Sequence, residues 1–232
     1  MKLLNLVLTS DSTVYTRMYD ILSIFYKKYA NVTTFFYKYS DIQDDFLLEK
    51  DVLHIKGKET MIPGILEKTF KSFEIVQNLI NSSEYDYIIR STVATVIDFK
   101  KLENVLDCDY GGYMWNLQWI DPKCGIIDSK YHGVRYMSGT CIILSKRLMS
   151  EIIVKQSFLD KTVIDDVAIG ALIRDHIHGK KYADLSKYFI FTEQLDSLTI
   201  DLIEKYIVFR NHHDNREIDV QNITLITNSV NV

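Results

Sequence analysis

Apolar and polar positions along the first hundred residues follow two alternating periods. Residues 3–9 form a continuous apolar stretch of strand length that runs into the polar Thr9-Ser10-Asp11-Ser12, as a buried strand entering a loop should. Val14, Met18, Ile21, Leu22 and Phe25 then recur at helical spacing on one face, with Arg17, Asp20, Lys27 and Lys28 elsewhere. Residues 31–37 predict a second strand. Beyond an acidic loop holding Asp41, Asp44 and Asp45, residues 51–56 predict a third, ended by Gly57. Leu66, Phe70, Phe73, Gln77 and Ile80 lie on one stripe after Pro63-Gly64, which predicts a helix over 65–80. Residues 85–90 predict a fourth strand and 98–106 a short helix. This β-α alternation implies a parallel, doubly wound sheet.

The pattern changes after Asp109. Residues 110–119 and 131–136 look like strands joined by polar turns, and 140–144 like a further apolar strand. Helices are predicted over 146–155 and, as the last, from Asp165 to about His178. Neither repeats nor a Pro-, Gly- or Ser-rich linker separates the halves, so one domain is expected over 1–232, with a first half 1–107 and a mixed second half 108–232.

Composition narrows the class. A chain of 232 residues with 47% hydrophobic and 25% charged residues is an ordinary globular protein. Three cysteines, Cys108, Cys124 and Cys141, without a CxxC pair, indicate neither a zinc site nor a disulfide framework. The apolar start is too short for a signal peptide and no run approaches a membrane span, so a soluble, cytoplasmic protein is expected. A net charge of -4 argues against a general nucleic-acid partner. Richness in Lys, Ile, Asn and Tyr fits an AT-rich genome, such as that of a large virus.

Candidate chemistry gathers where strands end, since ligands of parallel α/β sheets lie outside the carboxyl ends of the strands. The loops at Ser10, Gly57, Arg90 and Ser138 should therefore share one crevice. Ser10-Asp11-Ser12 offers hydroxyls and a carboxylate to a nucleotide, or a cap to the following helix. Arg90-Ser91-Thr92 offers a cation and two hydroxyls to a diphosphate, or forms a solvated loop. No Asp-x-Asp stands there to hold magnesium or manganese, and no Walker or Gly-x-Gly-x-x-Gly sequence follows any strand. Asp165-Asp166 opens an apolar helix, where one carboxylate caps and the other projects as a general base, or both serve the helix end. Arg210-Asn211-His212-His213-Asp214-Asn215-Arg216 is a polar, partly basic cluster that either closes over a phosphate or forms an exposed turn. Its adjacent histidines point apart, which disfavours a shared metal.

Together, Lys56-Gly57-Lys58-Glu59 with Pro63 to Thr69, Tyr85 to Thr92, Ser138-Gly139-Thr140 through Ser145, and Asp165-Asp166-Val167-Ala168-Ile169-Gly170 resemble GT-A-fold glycosyltransferases of large DNA viruses and bacterial polysaccharide loci. The last two pieces also resemble the Ser-Gly and acidic-Asp-Val-x-x-Gly elements of the β-1,3-galactosyltransferase and Fringe group. The resemblance covers most of the chain. It implies a GT-A-like, Rossmann-type, mostly parallel sheet flanked by helices, with a nucleotide-binding first half and a mixed, acceptor-binding second half. It also implies a UDP- or GDP-sugar donor, a glycan or other hydroxyl acceptor, and inversion at the anomeric carbon. Asp166 is the implied base in preference to Asp165, and Ser138 and Gly139 would lie beside the donor sugar. Many GT-A enzymes carry Asp-x-Asp where this chain has Arg90-Ser91-Thr92, which leaves a divalent metal, manganese or magnesium, open as a cofactor; without one, Arg90, Lys68, Arg210 and His212 are the candidate cations for the leaving diphosphate. The rival readings are a nucleotidyltransferase and a catalytically inert carbohydrate-binding or scaffold protein of the same fold.

Overall fold

The computed structural model describes residues 1–79 and 84–231. The first strand, β1 (Leu3–Leu8), is the continuous apolar run expected, and its alternation explains why both faces are apolar. Leu4 and Leu6 enter one core while Leu3 and Val7 enter the other. Helix α1 (Thr13–Tyr26) follows, capped by the Ser12 hydroxyl, which accepts from the Tyr15 N–H at 3.2 Å. Then come β2 (Val32–Ser40), β3 (Phe46–Glu49), β4 (Val52–Lys56), α2 (Gly64–Leu79), β5 (Tyr87–Thr92), β6 (Thr95–Ile97) and α3 (Phe99–Glu103). The second half adds β7 (Tyr110–Asn116), β8 (Arg135–Ser145), α4 (Lys146–Val154), α5 (Asp165–His176), β9 (Tyr182–Asp184), β10 (Phe189–Phe191), α6 (Ile200–Lys205), β11 (Val208–Arg210) and α7 (Arg216–Ser229).

Among the described residues an eight-stranded sheet runs in the order β3-β4-β2-β1-β5-β8-β7-β9, and a three-stranded one in the order β10-β11-β6. The centre, β4-β2-β1-β5, is parallel, as is β7-β9, while β3 and β8 run against their neighbours. This is the expected α/β architecture, with a mixed second half. One core lies between the large sheet and α2, α4 and α5, and the other between the sheet, α1, α3, α6, α7 and the small sheet.

The structure corrects several sequence expectations. The separate strands predicted over 131–136 and 140–144 are one strand, β8, and residues 129–131 form a single 3-10 turn before it. β3, β6, β9, β10 and β11 were not anticipated; all are three or four residues long, too short for a period of two to register. α6 and α7 follow the helix expected to be the last. Ile80, placed at the end of the second helix by its stripe, lies outside the described residues.

Within β8, Ile142 pairs with Gly112 and Met137 with Met114, so the single residue Tyr113 of β7 faces the four residues 138–141. The surplus chain is a bulge, and bulges next to crevices re-aim the backbone they carry. Here it turns Ser138-Gly139 toward the start of α5.

Candidate active site

At the carboxyl ends of β1 and β5 lies a cavity of about 640 Å³, a volume typical of small-molecule sites. Its wall includes residues from the first turns of α1 (Tyr15), α2 (Ile65), α5 (Asp165, Asp166) and α7 (Arg216). Four helices therefore begin beside one space, and the positive end of a helix favours anionic ligands near it.

Ten of the twelve residues singled out in the sequence line this cavity: Ser10, Lys68, Arg90, Thr92, Ser138, Gly139, Asp165, Asp166, Arg210 and His212. Asp11 and Ser91 do not line it. The Asp11 carboxylate is exposed and pairs with Lys38 at 2.5 Å, in a smaller adjoining hollow that shares Thr9, Ser10 and Tyr15 with the cavity. Ser91 is fully buried and donates to the Asn5 side chain at 3.2 Å, because alternation along β5 turns it to the opposite face from Arg90.

Neither aspartate of the acidic pair caps α5. The cap position is Ile164, with no side-chain bond, and both carboxylates stand inside the first turn. Asp165 is 4% exposed and receives Arg90 Nη2 at 2.6 Å, while Arg90 Nη1 donates to the Gly139 carbonyl. Burial is the largest influence on Arg90 and opposes its charge, but Asp165, Tyr37 and Asp166 together outweigh it and raise the guanidinium pKa. Arg90 is only 2% exposed, so it reaches the cavity as a buried strut rather than as a free phosphate ligand.

Asp166 is different. The residue as a whole is half-buried; its carboxylate accepts the Gly139 N–H at 3.0 Å and the Val167 N–H at 2.8 Å, and no cation is paired with it among the described residues. Burial, and then the neighbouring Asp165 charge, push its pKa up to about 7, against the pull of the Gly139 N–H and Arg90. Gly139 fits because it has no side chain: a Cβ there would stand 3.0 Å from Arg90 Nη1 and 3.5 Å from Asp166 Oδ2.

Positive charge comes from several directions, each source anchored by a carboxylate. Lys68, 2% exposed, pairs with Glu59 at 2.5 Å; burial lowers its pKa and Glu59 opposes that. Arg210 holds Glu193 at 3.1 Å, and burial lowers its pKa too. Arg216, which ends the basic cluster read in the sequence but was given no separate role there, bonds the buried Asp219 at 2.5 Å and lies over the Tyr15 ring at 5.4 Å. The adjacent histidines separate as expected: His212 lines the cavity while His213 Nδ1 meets Asp219 at 2.6 Å. The segment is no detached flap, since Asn211 is fully buried and its N–H reaches the Ala94 carbonyl at 2.9 Å.

The donor set does not fit a divalent cation. Arg90 stands at the strand end where carboxylates would be needed, and Asp165 and Glu59 are taken by cations. Among the described residues no three His, Cys, Asp or Glu side chains gather to hold a metal. No helix is long and apolar enough to cross a membrane.

Comparison with known proteins gives no family model and no curated protein that matches. Solved structures do match. One is a glycosyltransferase involved in the glycosylation of the major capsid of PBCV-1, with a TM-score of 0.51 at 6% identity, covering 96% of this chain and 99% of that chain. At that identity the likeness is one of fold: the chain has the mixed α/β fold of a glycosyltransferase from a large DNA virus.

Proposed function

We propose that the chain is a glycosyltransferase that moves a sugar from a nucleotide donor, a UDP- or GDP-sugar, to an acceptor hydroxyl with inversion at the anomeric carbon. The fold likeness supports the reaction class, and one observation carries the mechanism. Of the three carboxylates facing the cavity, Glu59 and Asp165 are paired to cations, while Asp166 is held by N–H groups with its pKa near neutrality. A carboxylate so placed takes the acceptor hydroxyl proton as the new bond forms. The acceptor oxygen bonds to the anomeric carbon, the bond from that carbon to the diphosphate oxygen breaks, and the diphosphate leaves with the electron pair.

Lys68, Arg210 and Arg216 would supply positive charge, and His212 a ring N–H, to the departing diphosphate, reinforced by the nearby helix starts. Ser10 and Thr92 would contact the nucleotide, with Asp11 at the margin, and Ser138 and Gly139 the sugar. Arg90 and Asp165 act behind them, fixing the Gly139 carbonyl and hence the N–H that orients Asp166. Ser91 supports β5 from the opposite face.

The test is a panel of UDP- and GDP-sugars assayed for hydrolysis and for transfer to added alcohols and glycans, with manganese and with a chelator. Turnover of at least one donor that persists in chelator is expected. Tight donor binding without turnover would instead identify an inert binding protein of the same fold.

A further inference from the structure

The chain has two tryptophans, and they stand together. Trp115 is near the end of β7 and Trp119 just beyond it; their rings are 5.8 Å apart at 85°, and each residue is 40% exposed. Tyr113 lies 5.3 Å from Trp115 and 5.1 Å from Phe191, and Phe191 pairs with Arg210 across β10 and β11. A line of rings thus runs from two exposed indoles to a residue in the cavity wall.

Topology places this shelf at the right end of the sheet. β7 and β5 both run against β8, so β7 points the same way as β5 and its last residues lie at the end that carries the cavity. The shelf is rigid. Leu117 exchanges backbone bonds with Val134 and Gly133 at 2.9 and 2.8 Å, and Asp121 and Ile126 bridge at 2.9 Å. The Cys124 carbonyl accepts from Ile164, the residue before Asp165, at 2.9 Å, which ties the same hairpin to the start of α5.

We propose that this shelf binds the acceptor, and that the acceptor is a neutral glycan whose pyranose rings lie on the indole faces; this rests on the glycosyltransferase reading above. The C–H face of a pyranose carries partial positive charge and is flat, matching the negative face of an aromatic ring. Between the two tryptophans in the sequence stand Asn116 and Gln118, both exposed, and a carboxamide can both donate to and accept from a hydroxyl. Ile120 and Ile127, 55% and 70% exposed, extend the apolar edge. An anionic bilayer is the poorer occupant. The surrounding charges, Lys123 and Arg135 against Asp121 and Asp128, balance, and the whole chain is at -4.

Because both tryptophans belong to the shelf, indole fluorescence of the intact protein reads its occupancy directly. Cellobiose, lactose, maltose and N,N′-diacetylchitobiose are each titrated while emission is followed, and UDP and GDP binding is measured separately by calorimetry. At least one disaccharide is expected to change the emission saturably. Trp119→Ala should weaken that disaccharide about three- to tenfold, the range one stacked ring provides. Trp119→Phe should recover most of the loss, and nucleotide binding should stay unchanged in both. Emission unmoved by all four sugars, or moved by phosphatidylserine vesicles and not by sugars, overturns the proposal. A sugar response in a protein that turns over no donor leaves the shelf standing and defeats the transferase reading. Transfer to a non-glycan alcohol with silent emission does the reverse.

Discussion

Asp165 and Asp166 are neighbours of identical chemistry with opposite environments. Asp165 is neutralised by a buried guanidinium, and Asp166 is held only by N–H groups beside a second negative charge. This asymmetry has a consequence for stability as well as for chemistry. The folded state binds the Asp166 proton more tightly than the unfolded chain does. The contribution of this group is therefore fully present below the unfolded carboxyl pKa of about 4 and is lost as pH rises through the folded value. Asp166→Asn should accordingly stabilise the protein above pH 8, by on the order of 1 to 3 kcal/mol, and do nothing below about pH 4. Thermal melts of both proteins across that range check the sign, and a variant that is less stable at high pH contradicts the environment assigned to Asp166. Sequence spacing alone could not separate the pair. It located both carboxylates at a helix start, but the partner of Asp165 lies 75 positions away on β5, a contact that no local pattern encodes.

At the level of elements, the site depends on how closely α5 lies on β8. A Cβ at Gly170 would stand 2.6 Å from the Tyr136 Cβ and 2.9 Å from the Arg135 carbonyl, so this glycine lets the helix rest on the strand backbone. Gly170→Ala should push α5 off β8, destabilise by about 1 to 3 kcal/mol, and lower turnover more than nucleotide binding, because Asp166 moves with the helix. Denaturant melts with a kcat and donor Kd comparison test this; unchanged stability and turnover would mean the contact is not tight. The long elements were legible in the sequence because their periods repeat: α1, α4 and α5 lie close to where their stripes put them, and α2 starts at Gly64, just after Pro63. The bulge in β8 was not. Its apolar stretches on either side of Ser138-Gly139 read as two strands, since a register shift leaves no trace in a single chain's pattern.

Across the whole molecule, the crevice follows from the parallel centre of the sheet, which sets the ends of β1 and β5 and the starts of four helices around one space. That is why the residues chosen from strand ends and helix starts line the cavity together with the cations Lys68, Arg210 and His212. Ser91 fell away because it stands on the other sheet face, and Asp11 because it turns toward Lys38. Tyr15 was missed in the sequence, and Arg216 and Glu59 were named there without a role of their own, because each reaches the cavity from a helix or loop whose position depends on tertiary packing. The absence of Asp-x-Asp from the fourth predicted strand was legible, and the structure adds that two of the three carboxylates facing the cavity, Asp165 and Glu59, are already matched by Arg90 and Lys68.

The account stands or falls on Asp166 as the base. The most direct measurement is transfer turnover of the wild type and Asp166→Asn as a function of pH, with donor affinity measured on the same preparations. The wild type should lose activity about tenfold per pH unit below the Asp166 pKa, since only the ionised carboxylate accepts a proton. The variant should lack that limb, turn over about a hundredfold to ten-thousandfold more slowly, and bind donor as the wild type does. Wild-type turnover in the variant, or the same acid limb, would contradict the assignment.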